Sequence, residues 1–261
     1  MDITTPPSPE TIALKKKKIN WIYEIRQYGA ALVVAAPVFT FLSLFIFYRR
    51  GYYDLYIANK AFAGTAAILL GIVLLIGPLS RYFAFPDRYI QYRKELGIIA
   101  FFLALIHAVV SLFFLPSHFP SVIFFGTFNW DFILGMIATV ALFVLFLISF
   151  ERVADAIGRK RWWWMQNWGI RIAFTLVFLH VFLMKWSGWI AWYKAGGSNR
   201  LAHPELPGGG LLVGWFMAFV VFLRLAEFLG PRFFRAAWYV SVVALPAIYI
   251  ATFWWGMQFA K

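Results

Sequence analysis

The stretch Leu96–Leu115, LGIIAFFLALIHAVVSLFFL, decides the fold. It holds no Asp, Glu, Lys or Arg, and about 20 predominantly apolar residues are what an α-helix needs to cross the hydrocarbon core of a bilayer. The apolar character is continuous, whereas a membrane strand would alternate every second residue, so the run reads as a helix. Working outward, comparable runs lie at 29–48, 61–80, 131–150, 168–190, 211–228 and 236–256. The run at 211–228 is the shortest and carries Arg224 and Glu227, spaced to pair on one helical face. The expected fold class is all-α: a polytopic membrane helix bundle of about seven transmembrane helices.

Composition agrees with this reading. The chain has 261 residues, 62% of them hydrophobic and 13% charged, with a mean hydropathy of +0.74. Soluble globular domains carry about a quarter charged residues, so no room is left for a sizeable soluble catalytic domain. The net charge of +13 comes from Lys and Arg clustered between the apolar runs. Membrane topology explains that placement, and nucleic-acid binding is discarded. The absence of cysteine excludes disulfides, thiolate metal sites, iron-sulfur clusters and cysteine nucleophiles. Residues 1–14 are polar and contain proline, without the apolar core of a secretory signal peptide.

Orientation follows from the basic residues. Lys15, Lys16, Lys17, Lys18 and Arg26 precede span one; Arg81, Arg88, Arg93 and Lys94 separate spans two and three; Arg152, Arg159, Lys160 and Arg161 separate spans four and five. The opposite side has Arg49, Arg50 and Lys60, then Lys194 and Arg200, with none from Leu115 to Asp131. This bias predicts a cytoplasmic N-terminus and an outer C-terminus. Trp162, Trp163, Trp164 and Trp168 at one boundary of span five, with Trp186, Trp189 and Trp192 at the other, read as interfacial belts. Residues 116–127 and 195–210, rich in Gly and Pro, read as flexible outer loops. The Lys15–Lys18 run next to Trp21 chiefly sets topology; held as a short surface helix it would also attract anionic lipid.

Of the four histidines, His107 and His180 lie inside spans three and five, which run in the same direction. Each is about 13 residues from the cytoplasmic boundary, and a rise of 1.5 Å per residue puts both roughly 20 Å in. Two histidines at one depth on different helices can hold one haem iron from opposite faces, which suits electron transfer rather than oxygen binding. Without cysteine the porphyrin is b-type. Phe101, Phe102, Phe113, Phe174, Phe178 and Phe182 are expected to pack around it. Two other readings of the pair stay open: interhelical hydrogen bonding alone, and proton relay. His118 and His203 fall in outer loops as surface groups, and Lys185 is expected to snorkel outward. Arg171, about half a turn round the helix from His180, is not expected to touch haem. No nucleotide-binding, hydrolase or zinc-protease motif occurs.

Gly77-Pro78-Leu79, then Arg93-Lys94-Glu95-Leu96-Gly97 with His107 ten residues beyond, followed by Leu147-Ile148-Ser149, Ile157-Gly158, Trp163 and His180, resembles the ferric-reductase-like transmembrane superfamily. Within it, the stretch from about 60 to 190 is most similar to the haem-binding membrane subunit of the bacterial periplasmic methionine-sulfoxide reductase system. The resemblance implies that His107 and His180 are the outer pair of haem ligands. It also implies a further histidine thirteen residues before His180, where this chain has Asn167 preceded by Gln166. An amide is a poor iron ligand, so one haem is expected where some relatives hold two. The first span and the Lys15–Lys18 extension depart from the six-span pattern of such relatives. Larger relatives append a flavin and nicotinamide domain, whereas this sequence ends after a span, so a separate donor is expected.

The resulting expectation is an oxidoreductase subunit rather than a self-contained enzyme. It would pass electrons through one haem b, its iron held by His107 and His180, from a quinol or flavin donor to an outer-side acceptor. The alternative is a haem-free structural or assembly subunit, or a small transporter; Pro246 marks one candidate helix break, with no charge beside it. Residues 1–28 form a basic cytoplasmic segment, 29–58 an additional first span, 59–192 the haem-binding core and 193–261 an outer loop with two spans. Lipid, a redox donor and an acceptor protein are the partners, and a bacterial inner (plasma) membrane is the location.

Overall fold

A computed structural model describes residues 21–83, 85–120, 126 and 128–260. The Lys15–Lys18 segment and part of the 116–127 loop lie outside these residues. The described residues form helices α1 (Trp21–Arg50), α2 (Leu55–Tyr82), α3 (Arg93–Val109), α4 (Trp130–Leu147), α5 (Glu151–Ile157), α6 (Arg159–Ala195), α7 (Gly209–Phe228) and α8 (Pro231–Gly256). A 3-10 segment, Phe85–Tyr92, leads into α3, and a π-helical turn, Val110–Phe114, extends it. Seven of these helices are long and apolar enough to cross a membrane, the short α5 being the exception. The spans expected from hydropathy and the helices differ only at their ends.

The bundle is organised around α2, the most deeply buried span, which packs against α1, α3 and α7, while α4 and α6 form a tightly matched pair. Asp54 starts α2 by accepting a hydrogen bond from the Ile57 N–H at 2.8 Å, satisfying a donor that a helix start leaves unpaired. Gly51 before it has φ +81°, a left-handed conformation that costs other residues steric strain. Much of the interior is small: Ala31, Ala35, Ala61, Ala66, Ala67, Ala100, Ala138 and Ala173 are all buried, as expected where helices associate in lipid by close backbone approach. Val33, Leu44, Val243 and Ile250 are strongly exposed, and a surface this apolar belongs against hydrocarbon. Polar Asn59, Thr65 and Glu95 are inside.

Several expectations are corrected at this level. The tryptophans are not all interfacial anchors. Trp163, Trp164 and Trp186 are exposed, but Trp192 is buried and Trp162 donates its indole N–H to the Ile148 carbonyl at 2.7 Å. The connection between α6 and α7 is pinned rather than flexible: Arg49 Nε donates to the Leu206 carbonyl at 2.8 Å, and the His203 N–H to the Arg49 carbonyl at 3.1 Å. His203 itself stacks on Tyr48 and bonds Glu205 at 2.9 Å, so it is a tether and not a free surface group. Pro246 sits within a continuous α8, without breaking it. The Arg224–Glu227 pair expected in α7 is present at 2.7 Å.

Candidate functional site

His107 lies in the last turn of α3, and the π-helical turn that follows contains Ser111. Such turns often accompany functional sites because they re-aim side chains on one helix face. Asn59 of α2, only 1% exposed, joins the two: its Oδ1 accepts from His107 Nδ1 at 3.1 Å and its Nδ2 donates to Ser111 Oγ at 2.8 Å. His180, in the middle of α6, places Nδ1 2.6 Å from the Asp131 carbonyl at the start of α4. Carbonyl oxygens only accept, so both Nδ1 atoms carry the hydrogen. Each Nε2 keeps its lone pair, and neither has a hydrogen-bond partner among the described residues. This is the tautomer that a metal-binding imidazole requires, held by the kind of carbonyl partner that orients such ligands.

Gly135, one turn into α4, lets the His180 ring lie directly on the helix. A Cβ there would sit 2.9 Å from Nδ1 and 3.0 Å from Cε1. The Nδ1–Cε1 edge therefore faces α4 and the Nε2 edge faces away.

Both histidines line one cavity of about 570 Å³, within the range of sites that hold cofactors. Its walls are largely small or aliphatic, including Ala63, Gly64, Ala67, Ala104, Ala138 and Val177. None of the six phenylalanines expected around a porphyrin lines it. Phe101 instead stacks on Phe146, Phe174 is buried elsewhere in the core and Phe113 is 72% exposed. Phe119 and Phe132 line the cavity instead. The rim carries Arg49, Arg50, Lys60 and Lys185 with a single carboxylate, Asp131. Lys185 thus lines the cavity rather than leaving the bundle, and Lys60 sits over the Tyr56 ring at 3.9 Å. His118, at the mouth, stacks on Tyr56 at 4.2 Å. Sequence reasoning missed Asn59, Gly135 and the cationic rim; only the rare Asn so near the start of an apolar run was a signal.

A second cavity, of about 440 Å³, opens at the other end of the bundle and is lined by Gln166 and Asn167. No histidine, methionine or cysteine is among its lining residues. Leu70 and Leu142 line both cavities, so the two adjoin at these side chains. Arg171 belongs to this second cavity, away from the histidines.

No curated protein matches the chain. The family model described as ferric reductase like transmembrane component matches residues 61–177, a stretch that contains His107 and ends just before His180, so this part of the chain is similar to that family.

Proposed function

We propose that the protein is a membrane cytochrome that transfers electrons through one b-type haem whose iron is held by His107 and His180. The observation that carries this reading is the pair itself. Two imidazoles on different helices line one cavity, each with Nδ1 bound to a carbonyl oxygen and with no partner at Nε2 among the described residues. The ferric-reductase-like match supports transmembrane electron transfer as the class of function, and haem is typical of that family. Arg49, Arg50, Lys60 and Lys185 are suited to the two propionate carboxylates, since a cationic rim offsets the cost of carrying charge into the bundle. A bis-histidine haem supplies reversible one-electron chemistry at iron without an open coordination position. The chain's own part is to orient the imidazoles, exclude water with aliphatic walls and hold the compensating charge.

A single haem is favoured because the second cavity offers Gln166 and Asn167 where an inner ligand would be needed. The donor is a quinol or a flavoprotein and the acceptor an outer-side redox protein, as in the methionine-sulfoxide reductase system that residues 60–190 resemble. The location is a bacterial inner membrane, with the N-terminus cytoplasmic and residues 59–192 as the haem-binding core.

The test is a reduced-minus-oxidised visible spectrum of the detergent-purified protein, with haem quantified per chain, beside His107→Ala and His180→Ala. The expected result is a b-type signal near one haem per chain that disappears in both variants. A colourless wild type expressed with ample haem overturns the proposal and leaves a structural subunit, in which the two Nδ1 bonds merely join helices.

A further inference from the structure

We propose that the second cavity binds the phosphate of an anionic phospholipid. Five cations, Arg81, Arg93, Lys94, Arg171 and Arg224, line it against one carboxylate, Glu227. That carboxylate, 8% exposed, is already shared: Oε1 lies 3.3 Å from Arg81, and Oε2 lies 2.7 Å from Arg224 and 3.8 Å from Arg171. Among the described residues no carboxylate pairs with Arg93. Arg224 also donates to the Leu74 carbonyl at 3.4 Å, and Arg171 lies over the Trp168 and Phe228 rings. Neither contact supplies negative charge; buried guanidinium groups in excess over carboxylates are costly in a membrane, and that excess calls for an oxygen-rich anion. The planar guanidinium fork matches phosphate oxygens.

The rest of the cavity selects the source of that phosphate. Besides the cations its lining includes apolar Leu70, Val73, Leu145 and Ile170, which suit an acyl chain and not a hydrated ion. Trp163, which is exposed, also lines it, and tryptophan favours the headgroup level of a bilayer. Basic pockets between transmembrane helices are a known setting for anionic headgroups. A neutral quinone headgroup would leave the excess charge uncompensated. The inference stands apart from the haem proposal, because the two cavities share no charged residue.

Native mass spectrometry of the delipidated full-length protein tests it, with phosphatidylglycerol, phosphatidylcholine or inorganic phosphate added. Phosphatidylglycerol is expected to bind as one molecule per chain and in preference to phosphatidylcholine. Arg93→Gln is expected to weaken it about tenfold, the equivalent of one charge-assisted hydrogen bond, while Arg152→Gln, an exposed cation outside the cavity, leaves it unchanged. Arg171→Gln serves as a second variant if Arg93→Gln does not fold. Equal binding of the two lipids, or wild-type affinity in the folded cavity variant, overturns the proposal. Displacement of phosphatidylglycerol by millimolar inorganic phosphate also overturns it, by making a soluble anion the occupant.

Discussion

Asn59 is the residue through which α2 reaches the histidine site, because its amide serves His107 and Ser111 at once. Replacing it by Leu removes the acceptor for Nδ1 and frees the ring to turn. Loss of such a supporting partner typically costs about 10–100-fold in metal affinity, so Asn59→Leu is expected to purify with clearly less than wild-type haem. Asn59→Asp keeps the acceptor and adds charge, making the imidazole more electron-rich. Its haem content is expected to be retained and its midpoint potential, measured by redox titration, to fall. Unchanged haem content in Asn59→Leu would show that the Nδ1 bond does not orient the ligand. On the opposite side, Gly135→Ala puts a Cβ 2.9 Å from His180 Nδ1, a contact too short to persist. The expected outcome is a haem spectrum broadened or lost, with the helical circular dichroism preserved.

At the scale of elements, the reading rests on how α4 and α6 are held together. They form the tightest helix pair of the bundle, and α4 supplies both the Asp131 carbonyl and the Gly135 surface against which His180 lies. Near the far end, Trp162 donates to the Ile148 carbonyl just past α4, while Gln166 reaches Leu145 and Ser149. These contacts set the axial register of α6 on α4, and thereby the height of His180. Trp162→Phe removes the indole donor while keeping most of the ring, at a cost of about 1 kcal/mol for one lost hydrogen bond. A lowered thermal midpoint with haem still bound is the expected result, read by absorbance on heating. Hydropathy located α6 but was blind to this register, since the contacts that fix it join Trp162, Gln166 and His180 of α6 to carbonyls and side chains in and just past α4, far away along the chain.

For the whole molecule, the charge bias predicts that the Arg93 and Asp155 end faces the cytoplasm and the Asn199 end faces outward. The chain contains no cysteine, so single substitutions report topology without background. Asn199→Cys in intact cells or right-side-out vesicles is expected to react with a membrane-impermeant maleimide, and Asp155→Cys only after permeabilisation; the reverse pattern would invert the bundle. The sequence by itself determined the all-helical class and the number and approximate ends of the spans, and it led to the expectation that His107 and His180 share a depth. Each is a local property: hydropathy is read along one helix, and depth follows from rise per residue. The tertiary structure alone decided that both histidines line one cavity, that Asn59 and the Asp131 carbonyl hold their tautomers, and that none of the six phenylalanines expected around the site lines it. It alone gathered Arg81, Arg171 and Arg224 of α2, α6 and α7 around Glu227, with Arg93 of α3 on the same cavity. Lipid solvates every apolar face equally, so the choice of which face turns inward comes from close packing and from polar partners far apart in the chain, and no period along one helix encodes those pairings.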